Sequence, residues 1–196
     1  HELGIDLWEV IDAAATKPFG FMPFYPGPGI GGHCIPLDPT YLSWEVRRRT
    51  GRRFGVLEAA QDVNDRMPAY VATRVAEILN DVGRPVRSSR ILVLGVTYKA
   101  DVGDVRESPG LAVLTALQQR GAEVSYHDPF VPAVFLSFGE LHAEPDLDGA
   151  LERADLVVLV TPHPSYDLDD IAERSRVVFD TRNAYRGVGP ENVIPL

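Results

Sequence analysis

The sequence is poor in sulfur, with one cysteine and two methionines in 196 residues. A single cysteine excludes an internal disulfide framework and points to a reducing compartment, the cytoplasm. Any thiol chemistry must therefore fall to Cys34. Long hydrophobic runs are also lacking, and none approaches the roughly 20 residues of a membrane span. Basic charge is short, with 19 Lys and Arg against 28 Asp and Glu and a formal net charge of −9. No broad positive field would draw nucleic acid or an anionic membrane surface. A phosphorylated small molecule still fits, where a few basic groups and backbone amides converge. No cluster of metal-binding residues stands out. The opening His1-Glu2-Leu3-Gly4 has neither a basic n-region nor an apolar h-region. Gly4 has the place of a residue closing a helix that lies before it, so the chain reads as a piece of a longer protein. What is present is ordinary globular material, 45% hydrophobic and 24% charged.

Two periodicities divide the chain. Asp6 with Glu9 reads as a capping box for a short helix running to about Thr16. From Lys17 to His33 the sequence is dense in Pro and Gly and can be neither helix nor central strand. Long irregular loops in compact domains are usually functional. Asp38-Pro39 looks like an N-cap followed by an N1 proline, opening a helix to Thr50 that Gly51 closes. An apolar series (Leu57, Ala60, Asn64, Met67, Val71, Val75, Ile78, Leu79) predicts a helical stretch over 55–82, broken or kinked at Pro68. Residues 83–89 read as a linker. Beyond them the period changes: Ile91–Leu94 is an unbroken apolar run, the mark of a buried parallel strand. Ser108-Pro109 opens a helix that Gly121 stops, and Glu123–His127, Leu156–Val160 and Arg176–Asp180 supply further strands. The fold class is α/β: a helical segment over 1–83, then a Rossmann-like, doubly wound parallel-sheet domain over 90–196.

Three constellations carry chemistry. The first is PGPGIGGHCIPLDP, Pro26–Pro39. Its glycines, Gly31 among them, let backbone approach a ligand closely. They set Cys34 ahead of a helix N-terminus, where dipole and amides favour thiolate. Asp38 could hold a water or relay a proton beside the sulfur, or serve only as the N-cap; Cys34 could equally be a small buried hydrophobe. The second is LGVTYKADVGDVRES, Leu94–Ser108, in the turn after the first strand, where phosphates bind in this architecture. Its spacing is not G-x-G-x-x-G, so the dinucleotide fingerprint is missing there. Lys99 and Arg106 can neutralise a diphosphate, or pair with the neighbouring Asp101, Asp104 and Glu107. The third comprises the strand ends TPHP (Thr161–Pro164) and DTRN (Asp180–Asn183), where Arg182 could reach a phosphate or sugar hydroxyl. His163, between two prolines, reads as a turn residue.

Taken together, these stretches, with GAEVSYHDP (Gly121–Pro129), resemble the UDP-glucose/GDP-mannose dehydrogenase family, in the family's order and from end to end of the chain. The resemblance assigns residues 1–83 to the end of a central helical domain and 90–196 to a nucleotide-sugar-binding domain. It implies that the amino-terminal NAD-binding domain lies outside this chain. Members oxidise the C6 hydroxyl of a nucleotide sugar to a carboxylate in two NAD-dependent steps. By that resemblance Cys34 adds to the C6 aldehyde, a second oxidation gives a thioester, and water aided by Asp38 hydrolyses it. Gly31, Lys99 and Arg182 are then substrate-binding residues, with Lys99 on the diphosphate. Arg106 reaches the NAD, and the protein is a homodimer.

Two departures bear on the reading. The central-domain lysine and asparagine that support the oxyanion and the water belong upstream. Leu37 stands where bacterial UDP-glucose dehydrogenases usually have lysine, and GGHCIP is more similar to the branch acting on UDP-N-acetylmannosamine or UDP-N-acetylglucosamine. Other readings are a UDP-glucose 6-dehydrogenase, a non-catalytic nucleotide-sugar-binding and dimerisation module, and a cysteine hydrolase. The last is weakened because only His33 and Asp38 offer the sulfur a partner.

Overall fold

The computed structural model describes residues 3–187 and 189–196. Its first part is helical. α1 (Leu7–Ala15) is capped by the Asp6 carboxylate, which accepts from the Trp8 and Glu9 amides. An irregular segment leads to α2 (Cys34–Thr50), which ends on Gly51 in the left-handed region at φ 69°. α3 (Gly55–Asp81) follows. Two expectations are corrected here. α2 begins four residues before Asp38-Pro39, with His33 at the cap position and no side-chain cap bond. Pro36 costs nothing there, because the first amides of a helix have no intrahelical acceptor. α3 runs unbroken through Pro68. The proline removes one hydrogen bond, to Asn64, and packing on both sides outweighs that loss.

Glu58 ties α2 to α3. Its carboxylate accepts from Ser43 (3.1 Å) and Arg47 (2.8 Å) of α2 and from Arg53 (2.5 Å) of the connecting loop. Hydrogen bonds from Arg53 and then Arg47 hold its carboxyl down at about 2. A depressed carboxyl contributes stability above its unfolded pKa and loses it as pH falls through the folded value. The melting temperature should therefore fall between roughly pH 4.5 and 2, and Glu58→Gln should flatten that part of the profile. Identical acid profiles for the two proteins would remove Glu58 from the clamp.

The second part is a five-stranded parallel sheet with helices on both faces. Its elements are β1 (Arg90–Leu94), α4 (Pro109–Gln119), β2 (Glu123–His127), α5 (Leu147–Arg153), β5 (Leu156–Leu159), α6 (Leu168–Arg174), β6 (Val178–Asp180) and β7 (Val193–Pro195), with a hairpin of β3 (Ala133–Leu136) and β4 (Gly139–His142) after β2. The strand order is β2-β1-β5-β6-β7. Alternate residues of one strand enter two cores: Ile91 and Val93 pack with α3 and α4, Leu92 and Leu94 with α5 and α6. That double burial is why β1 and β5 read as unbroken apolar runs. The chain leaves β1 for β2 on one side and returns to β5 on the other, so the switch point opens at the carboxyl ends of β1 and β5. No helix among the described residues is long and apolar enough to cross a membrane.

Candidate active site

Cys34 is the first residue of α2 and is exposed. The positive end of a 17-residue helix lies beside its sulfur. Asp38 stands one turn on, so the thiol and the carboxylate share a helix face. Both line one open depression with Ile35, Pro39, Leu42, Phe54 and Leu57. With α2 starting at Cys34, Asp38 is no N-cap, and its carboxylate is left for other work.

The loop before Cys34 is held from two directions. α3 grips it and the first turn of α2 through two side-chain amides one turn apart: Asn64 Oδ1 accepts from the Ile30 amide at 2.8 Å, and Gln61 Nε2 donates to the Pro36 carbonyl at 3.2 Å. From the other side it rests on the loop after β1, where the Gly32 amide donates to the Arg106 carbonyl at 3.0 Å. A methyl group on Gly31 would meet the Glu107 carbonyl at 2.6 Å and Tyr98 Cβ at 2.8 Å. Its lack of a side chain is what lets the two loops meet. Gly27 lies in the same way against the Arg182 guanidinium. The sequence reading did not single out Gln61, Asn64 or Tyr98 for the site. The available signal was Asn64, a polar residue at a position the helical period assigns to the core face.

The remaining candidates gather around the switch point. Lys99 is exposed in the loop after β1 and makes no ion pair among the described residues. Arg106 is held to Asp104, with Nη2–Oδ2 at 2.6 Å. That bond raises the guanidinium pKa above its ordinary value, and Tyr98 and Cys34 are near enough to add smaller electrostatic contributions in the same direction. Arg182, half-buried after β6, donates Nε to the Val160 carbonyl at 3.0 Å, and its guanidinium makes no ion pair among the described residues. Burial pulls its pKa down. Asp101, Glu107 and Asn183 adopt φ of 60°, 48° and 52°. Non-glycine residues avoid that region except where surrounding structure compels it, as it often does at ligand sites.

Beneath this loop lies a buried polar cluster that the sequence reading missed. Asp128, just past β2, accepts from the Val96 amide (2.8 Å) and the Thr97 amide (3.2 Å). Its Oδ2 also faces His163 Nε2 at 3.2 Å, and both side chains are fully buried. Burial pushes the Asp128 carboxyl up, and hydrogen bonds from His163 and from the Phe130 and Val96 amides outweigh it, leaving the group below its usual range.

An exposed cysteine at a helix start thus stands on a loop that packs, through Gly31 and Gly32, against the basic loop at the switch point of a parallel sheet. Residues 1–66 match the central domain and residues 92–187 the UDP-binding domain of the UDP-glucose/GDP-mannose dehydrogenase family. The chain belongs to that family. A UDP-N-acetyl-D-mannosamine dehydrogenase of Methanococcus maripaludis is 34% identical over 190 residues, covering 93% of this chain and 41% of the relative. An NDP-N-acetyl-D-galactosaminuronic acid dehydrogenase of Ralstonia solanacearum is 36% identical over 94% of this chain and 42% of its own. The solved structure of a UDP-D-ManNAc dehydrogenase from Pyrococcus horikoshii superposes over the whole chain with a TM-score of 0.82 at 30% identity, covering 44% of that protein. The chain thus spans less than half the length of the curated relatives it matches.

Proposed function

We propose that this chain is the thiol-bearing and nucleotide-sugar-binding part of an NAD-dependent dehydrogenase. It oxidises the C6 hydroxyl of a UDP-N-acetylhexosamine, UDP-N-acetylmannosamine or UDP-N-acetylglucosamine, to a uronic acid, as a cytoplasmic homodimer. The observation that carries this reading is the seating of the Cys34 loop, through Gly31 and Gly32, on the loop that presents Lys99 and Arg106. Contact between these two loops supports a shared pocket, with the diphosphate on the basic loop and the sugar toward Cys34. The names of the Methanococcus maripaludis and Ralstonia solanacearum relatives, both for N-acetylated sugars, support the substrate class.

In this reading Lys99 and Arg182 hold the diphosphate sugar, and Gly31 keeps the loop backbone close to it. The Cys34 sulfur adds to the C6 aldehyde, forming a C–S bond and an oxygen that takes a proton. After the second oxidation the carbon is a thioester. Asp38 accepts a proton from the attacking water, the C–S bond breaks, and the thiol is restored. A bound NAD would supply the hydride acceptor for each oxidation. Of this chain, Arg106 fits a contact to it, since its side chain is 64% exposed with one edge of the guanidinium engaged by Asp104.

Calorimetric titration with UDP and with UDP-N-acetylhexosamine tests the assignment. Lys99→Ala should cost on the order of 1.5–3 kcal/mol, roughly tenfold or more in affinity, as one charge-assisted phosphate contact is lost. Arg106→Ala should change it far less, because its partner is the cofactor. Equal losses in the two variants would mean diffuse charge attraction and would overturn the roles given to both residues.

A further inference from the structure

We propose that His163 is the positioning residue for the Lys99 loop, pinning Asp101 in its left-handed conformation so that Lys99 faces the crevice. The inference rests on the reading of Lys99 as a phosphate ligand. It starts from the partners of the imidazole, which leave one arrangement of its proton. Nε2 faces the Asp128 carboxylate at 3.2 Å and Thr97 Oγ1 at 3.3 Å, so it carries the hydrogen. Nδ1 faces the Asp101 amide at 3.3 Å, so it accepts. The ring thus joins the end of β2, through Asp128, to the far side of the loop that leaves β1.

The rest of the cluster is built to hold the ring. Thr161 Oγ1, on the chain leaving β5, donates to the Thr97 carbonyl at 2.7 Å. Phe130 packs on the imidazole with centroids 5.1 Å apart, and the Tyr166 ring meets it edge-on at 5.5 Å. Asp101 has φ 60°, a conformation that an L side chain leaves unless something holds it. Its amide bond to Nδ1 is that hold, and Lys99 lies two residues away. Asp128 fixes the near side of the loop through Val96 and Thr97, and His163 fixes the far side.

Two amide side chains separate the functions of the two ring nitrogens. Asparagine carries its polar atoms at the Nδ1 distance from the backbone, and glutamine at the Nε2 distance. His163→Gln should keep a donor for Asp128 and lose the acceptor for Asp101. It should melt near the wild type, speed backbone hydrogen exchange across residues 99–107, and weaken UDP binding about tenfold. His163→Asn should melt lower, because Asp128 loses its donor, yet keep slow exchange at Asp101 and bind UDP within about threefold of wild type. A glutamine variant with wild-type exchange and affinity would overturn the proposal. So would parallel losses of stability, protection and affinity in both variants, which a purely structural histidine would give. Should the wild type fail to bind UDP, the reading of Lys99 falls, while the exchange comparison still decides whether His163 holds the loop.

Discussion

Cys34→Ala should abolish uronic acid formation in the complete enzyme, a loss of at least about a thousandfold in kcat with folding unchanged. The sulfur is exposed at the start of α2, so its removal leaves no cavity. No other cysteine of this chain can substitute. Cys34→Ser should stall at the aldehyde or be inactive, because a hydroxyl at the same place is seldom ionised near neutral pH. In the chain described here, thiol alkylation should be fast near neutral pH and slowed by UDP-N-acetylhexosamine. Normal turnover by the alanine variant would take Cys34 out of the mechanism.

Gly95→Ala should produce the largest loss of stability, about 3 kcal/mol or more and roughly 6–12 °C in melting temperature. Gly95 leaves β1 at φ 79° and donates its amide to the His127 carbonyl at 2.9 Å. A methyl group there would meet Thr161 Cβ at 2.5 Å and Cα at 2.9 Å, atoms of the chain leaving β5. It would force apart the two strands whose separation forms the crevice. Gly51→Ala is the control, since Gly51 has the similar φ of 69° with open space around it. It should cost only about 1 kcal/mol. Equal melting shifts in the two variants would mean that backbone conformation, and not the close approach of β1 and β5, sets the effect.

The parts legible in the sequence were those whose cause is local or doubled. β1, β5 and β6 announced themselves because residues on both faces are buried, which leaves no polar alternation to confuse the pattern, whereas β2, at the sheet edge, buries only Tyr126. α4 was marked by Ser108, whose side chain accepts from the Gly110 amide as an N-cap should. The β3–β4 hairpin was not foreseen: its strands are four residues long, and β3 has apolar residues on both faces, Val134 buried in the core and Phe135 80% exposed, so no alternation marks it. β7 was hidden by its three residues, the last of them Pro195. The start of α2 was misplaced because Asp38-Pro39 carries a strong local cap signal. The actual start follows from Gly31 and Gly32 docking on Tyr98, Glu107 and Arg106, contacts distant in sequence. The buried pair of Asp128 and His163 was missed for the same reason. They are 35 residues apart, and nothing near either one records that they meet.

The 27 residues of α3 make a rod about 40 Å long. Its first half carries the amides that grip the Cys34 loop, and its second half (Val71, Ala72, Val75, Ile78 and Leu79) is part of the core beneath the parallel sheet. For anyone recombining relatives, this helix decides where a seam can go. A junction in the turn at 83–89 looks natural on the sequence, yet it would transplant a sheet without the helix that covers it. The exchangeable unit begins inside α3, near where the central-domain match ends at Arg66. Swaps that ignore this should yield insoluble halves, and swaps that respect it carry the second half of the rod along with the pocket.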